Sequence, residues 1–193
     1  MERVHQAHEK FALHPALPIF MTYFITFSCY GSHLHGDEGG SIDRNHNQPG
    51  GPARPSERAL RQFEQREMTQ SPYLLDERRR TIVLTAIIWG CERRRWELFA
   101  AHVRENHVHI VVEAFCLREK VAQACKAYAS RFLNEAALDA PGRKRWTRHA
   151  SMKRLHDGKA REEAIRYVAA NQGVPMALFV APLKRTRSIL SRL

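Results

Sequence analysis

Two imidazoles stand one residue apart in the stretch RENHVHIVVEAF, residues 104–115. From His107 onward the residues alternate as a strand does, so His107, His109, Val111 and Glu113 share one face, and Val108, Ile110 and Val112 share the other. With a rise of about 3.3 Å per residue, same-face neighbours sit roughly 6.5–7 Å apart at the backbone, and their rings can converge on one ion or one phosphate oxygen. The plainer alternative is a pair of hydrogen-bonded structural histidines, so a further group is needed before chemistry is favoured. RYVAANQG, residues 166–173, supplies one. Tyr167 and Asn171 are four apart and lie on one helical face, presenting a phenol and an amide oxygen together. A hydroxyl nucleophile beside a His-His-Asn metal site is an arrangement for phosphoryl transfer, in which the metal polarises the scissile phosphate and the phenolate attacks it. Gln172 is the fallback third ligand if Asn171 points away.

Other residues compete for these roles. His33 and His35 in SHLHGD repeat the histidine spacing, but they fall at a strand end entering a glycine-rich loop, without an apolar continuation. Tyr128 is a second helical tyrosine, yet Cys125 and Phe132 beside it indicate a core or DNA-facing role, and it has no Asn at i+4. Glu113 shares the histidine face, where a salt bridge to an arginine is the simpler reading. Trp146, Arg148, His149, Lys153 and Arg154 form a basic stretch able to hold nucleic acid, with the Trp146 ring stacking on an unpaired base and Arg148 and Lys153 contacting phosphates. The alternative for Trp146 is a half-buried loop residue.

The bulk charge favours a polyanionic partner. Lys and Arg number 31 against 20 Asp and Glu, a formal net charge of +11. These charges cluster at ERRR (77–80), ERRRWE (92–97), GRKRWTRHASMKR (142–154) and the C-terminal LKRTRSILSRL, and nucleic acid is the commonest partner for such a pattern. The four cysteines, Cys29, Cys91, Cys116 and Cys125, contain no Cys-x-x-Cys pair, which argues against a structural zinc site and fits free thiols in a reducing compartment. PALPIFMTYFITF (15–27) is too short and too proline-broken to span a membrane. A cytoplasmic protein without a membrane partner is expected.

The elements that must carry these residues can be read from periodicity. MTYFITFSCYG (21–31) reads as a first strand. Residues 36–57, rich in Gly, Pro, Asn and Asp, read as a long mobile loop. Ile82, Val83, Ala86 and Ile87 mark an amphipathic helix ending near Gly90. RWELFAAHV (95–103) and HVHIVVEAF (107–115) then form a hairpin pair of strands. A helix follows with Val121, Ala124, Cys125, Tyr128, Phe132 and Leu133 on one face, stopped by Pro141-Gly142. A short strand near 148–155 and a last helix over 160–173, closed by Gly173, complete the order. The pattern predicts an α+β sandwich of ferredoxin-like type, an antiparallel sheet with helices packed on it. Its expected divisions are an N-terminal extension (1–19), one domain over 20–175 and a basic tail over 176–193.

Taken in order, YFITFSCYGSHLHGDEGG, NHVHIVV, KAYASRFLNEA, RWTRHASMKRL and AIRYVAANQG resemble the HUH single-tyrosine transposases, and more closely the REP-associated tyrosine transposases and related insertion-sequence transposases. The resemblance spans roughly residues 20–175. It implies His107, His109 and Asn171 as ligands of Mg²⁺ or Mn²⁺. It also implies Tyr167 as the nucleophile that forms a 5′-phosphotyrosine link with single-stranded DNA, leaving a free 3′-hydroxyl. The expected protein is a metal-dependent strand transferase acting on single-stranded or hairpin DNA, as a monomer or a homodimer. A catalytically decayed module that holds hairpin DNA or RNA is the competing expectation, and a metal-dependent ribonuclease a third.

Overall fold

The alternation in MTYFITFS forms strand β1 (Met21–Ser28), which sends Tyr23, Ile25 and Phe27 into one core and Phe24 to the opposite face. The computed structural model describes residues 20–32 and 57–182. The extension 1–19, the rival pair His33 and His35, residues 36–56 of the loop and residues 183–193 of the tail lie outside the described residues. After β1 come α1 (Arg58–Glu67), α2 (Glu77–Arg93), β2 (Glu97–Val103), β3 (His107–Ala114), α3 (Arg118–Glu135), β4 (Ser151–Leu155), α4 (Gly158–Ala170) and β5 (Ala177–Val180).

The strands make one sheet in the order β4-β1-β3-β2-β5, with every pairing antiparallel. Its first four strands, with α2 and α3 as crossovers, are the ferredoxin-like α+β sandwich expected from the sequence. The larger core lies between the sheet and the α2/α3 layer, where Val83, Ile87, Val121, Cys125 and Leu133 meet Ile25, Phe27, Ile110 and Val112. Each such fully buried aliphatic side chain contributes about 1.5–3 kcal/mol relative to exposure. The other face holds a smaller core of Ala100, Val111, Leu155, Ala164 and Val168, under α4.

The elements differ from the reading of the sequence at several points. Helix α2 runs through Gly90 to Arg93, because that glycine serves a close approach rather than a cap: a Cβ there would stand 2.5 Å from the Tyr128 ring. The helix ends at Arg93; Arg94 caps it, and Arg95, with a φ of 56°, has left the right-handed region. Helix α1 was not foreseen, and it buries none of its residues. Ala177–Val180, placed by the sequence in the tail, pairs with β2 as β5, so the packed domain extends beyond residue 175.

Candidate active site

β3 sets both histidines toward the α4 face, flanked by β1 and β2. Across the sheet Thr26, His109 and His102 form one cross-strand row. The rings of His107 and His109 meet edge to face at 4.7 Å between centroids. Each has a nitrogen already fixed. His107 Nδ1 lies 2.7 Å from Asn106 Oδ1, which as an amide oxygen accepts the ring proton. His109 Nδ1 lies 2.8 Å from Thr26 Oγ1, and because an amide oxygen, that of Gln172, stands on its Nε2, the ring proton sits on Nε2 and Nδ1 accepts from the hydroxyl.

α4 brings the phenol. Asp157 caps the helix, its carboxylate accepting the Ala160 N–H at 2.8 Å. Ala164 and Val168 pin it to the sheet. Tyr167, on the neighbouring face, stands 5.7 Å from the His109 ring and 5.8 Å from Phe24, edge-on to both, with Phe24 stacked on His109. Tyr167 remains 42% exposed, so a substrate can reach it.

The amide at His109 belongs to Gln172 rather than Asn171. α4 ends at Ala170, and Asn171 (φ −103°, ψ 25°) leaves helical geometry, so the i+4 spacing expected from the sequence no longer directs it at the histidines. The chain turns, and Gln172 Oε1 comes to 3.0 Å from His109 Nε2. Asn171 lines a cleft of about 410 Å³ with Phe24, Lys153, Glu163, Arg166 and Tyr167. Among the described residues no three His, Cys, Asp or Glu cluster as metal ligands. Two imidazoles with anchored outer nitrogens and one amide oxygen suit a divalent ion. Burial first, then the charge of His107, push the His109 imidazole down to about 4, against the Gln172 bond that raises it, so the ring is neutral at pH 7 as a ligand must be.

The basic stretch 142–154 divides. Arg145 is buried and donates to Asp139 at 2.8 Å and to Asn134 at 2.8 Å. Arg79 and the Tyr73 hydroxyl reach the same carboxylate. Arg143 binds the Ser71 and Pro72 carbonyls and the Gln70 amide, and Lys144 binds Thr69. These cations hold the 69–73 segment. Trp146, expected to stack on a base, instead packs edge-on against Phe27 at 5.1 Å and donates its indole N–H to Ser130. It is a structural residue. The pleat of β4 places Lys153 in the cleft, paired with Phe24, and turns Arg154 to the opposite face, beside Tyr23. Arg148 and His149 are exposed in the approach to β4, their carbonyls held by Lys126. Tyr128, the rival tyrosine, lies between α2 and α3 with its hydroxyl on Arg94, in the opposite layer from the histidines. The reading of the sequence missed Phe24, Thr26 and Arg166. Thr26 and Phe24 were legible only as the β1 partners of His109 and Val111, a pairing that no local pattern states.

No protein-family model and no curated protein matches the chain. Among solved structures, it is similar to a REP-associated tyrosine transposase bound to a REP hairpin, with 14% identity and a TM-score of 0.43 over 83% of this chain and 72% of that one. It is also similar to a transposase candidate from Deinococcus radiodurans, with 12% identity and a TM-score of 0.42 over 80% of this chain and 93% of that one.

Proposed function

We propose that this protein is a metal-dependent endonuclease and strand transferase for single-stranded or hairpin DNA, acting through a 5′-phosphotyrosine at Tyr167. The observation that carries the reading is the meeting, on one sheet face, of the His107 and His109 rings, the Gln172 amide oxygen and the exposed Tyr167 phenol. His107, His109 and Gln172 would hold Mg²⁺ or Mn²⁺, which when bound supplies Lewis-acid polarisation of the scissile phosphate. Asn106 and Thr26 orient the imidazoles through their second nitrogens. The Tyr167 phenol gives up its proton as its oxygen bonds to phosphorus and the bond to the 3′-oxygen breaks; the departing oxygen takes up one proton in turn and becomes a 3′-hydroxyl, so none is gained or lost overall. One phosphodiester replaces another, so no external energy source is required and the reverse step rejoins strands. Lys153 and Arg166, lining the cleft beside Tyr167, suit the flanking phosphates.

The test is incubation with labelled single-stranded hairpin DNA pools and Mn²⁺, resolved on a denaturing gel beside Tyr167→Phe and His107→Ala proteins. A covalent band that both substitutions abolish is expected. An undiminished band from Tyr167→Phe would refute the assignment, and salt-dependent binding without any adduct would identify a non-catalytic module instead.

A further inference from the structure

The chain from Asn171 to Met176 is an irregular link between α4 and β5, largely exposed, with Gly173 at a φ of 72°. It nonetheless delivers the Gln172 amide to one atom of His109. Two side chains from the end of β2 hold it. His102, fully buried, bonds at both nitrogens: Nδ1 to the Val168 carbonyl of α4 at 3.0 Å, and Nε2 to the Met176 N–H at 3.1 Å. A carbonyl can only accept and a backbone N–H can only donate, so these partners require the neutral ring with its proton on Nδ1. The imidazole thereby ties the helix turn after Tyr167 to the start of β5. Arg104, at the first position past β2, donates from Nη1 to the Val174 carbonyl at 2.5 Å, and its Nη2 lies 3.7 Å from where a Gly173 Cβ would stand.

The link is thus fixed on both sides of Gln172. Asn171 N–H remains on the Tyr167 carbonyl at 3.1 Å, and Val174 and Met176 are held by Arg104 and His102. His102 is also the direct cross-strand neighbour of His109, so the anchor and the candidate ligand share one row of the sheet. We propose that His102 and Arg104 are positioning residues, a clamp on β2 that sets the Gln172 amide and the Tyr167 phenol over His107 and His109. This inference rests on the proposed metal-dependent transferase. It adds two residues outside the ligand set and the nucleophile. A core-filling histidine and a surface arginine would not need bonds to the same six-residue link.

The experiment compares full-length wild-type protein with Arg104→Met, Arg104→Lys and His102→Leu. Mn²⁺ affinity is measured without DNA by electron paramagnetic resonance, and kcat and KM for adduct formation are measured on hairpin DNA. Misplacing a group that orients a ligand typically weakens metal affinity about 10–100-fold. Arg104→Met and His102→Leu are expected to lose Mn²⁺ affinity in that range and to lower kcat with KM for DNA unchanged. Arg104→Lys, which keeps a donor for the Val174 carbonyl, recovers most of both. Wild-type Mn²⁺ affinity in Arg104→Met and His102→Leu overturns the clamp, as does absence of Mn²⁺ binding by the wild type. If the wild type binds Mn²⁺ but forms no adduct, the transferase reading fails, while the Mn²⁺ series still decides the clamp. Because Arg104 is only part-buried, its variants keep the test valid should His102→Leu fail to fold.

Discussion

Acid should loosen this protein through His109, and the size of the effect follows from its surroundings. Burial and the neighbouring His107 lower the imidazole from 6.5 to about 4. The folded state therefore refuses a proton that the unfolded chain accepts between those values. The unfolded state binds more protons in that window, so stability rises with pH across it and is lost as pH falls from 6.5 through 4. A gap of this size corresponds to about 3 kcal/mol in full, of which about 2 kcal/mol is lost between pH 7 and pH 5. Urea unfolding of wild type and His109→Gln at pH 7, 6 and 5 measures it, since titrations of groups that do not face His109 cancel in the difference. The wild type should lose roughly 2 kcal/mol relative to the variant over this range, a shift of more than tenfold in the folding constant. A difference that stays flat within about 0.5 kcal/mol would refute the reasoning, because it would mean that His109 is no less easily protonated in the fold than in the open chain.

Three further outcomes are expected. Gly90→Ala forces a methyl into the Tyr128 ring, 2.5 Å from the nearest ring carbon, and should cost about 1–3 kcal/mol in urea unfolding, part of it recovered by adding Tyr128→Leu. Asp139→Asn leaves buried Arg145 without its countercharge and should cost about 3–5 kcal/mol, read as a lower melting temperature; burial works to raise that carboxyl, but bonds from Tyr73, Arg145 and Arg79 hold it below its usual range. A mixture of Tyr167→Phe and His107→Ala proteins should give no covalent DNA adduct, because the phenol and the imidazoles of one chain already meet; a restored band would show that the tyrosine helix is exchanged between copies.

What the sequence disclosed is what local periodicity encodes. The β3 alternation and the apolar rows of α2 and α3 follow from contacts each element makes along its whole length, so the sandwich was legible. Ala177–Val180 offers only four residues and acquires its strand geometry from the edge of β2, whereas α1 carries Leu60 and Phe63 on one face and buries none of its residues. At the site, the two histidines and Tyr167 were legible because strand and helix periods fix where they point. The amide beside them was legible only as a choice between Asn171 and its fallback Gln172, because its direction depends on where α4 stops, and the link that carries Gln172 is bonded by His102 and Arg104, some 70 positions away in the chain.

The same limit governs the charge. A run such as GRKRW reads as a phosphate-binding patch because a sequence shows the cations without the groups they face. In the fold Arg143 and Arg145 are occupied by carbonyls, Asp139 and Asn134, and an arginine already paired in a buried network would have to give up those bonds before contacting DNA. Cations on the cleft side face no such cost to the same degree: Lys153 and Arg166 line open space beside Tyr167. Substituting Lys153 and Arg166 should therefore flatten the salt dependence of DNA binding by about one counterion each, whereas substituting Arg143 should act on stability and leave the salt slope in place. An unchanged slope in a Lys153→Gln, Arg166→Gln protein would move the nucleic-acid surface away from the cleft.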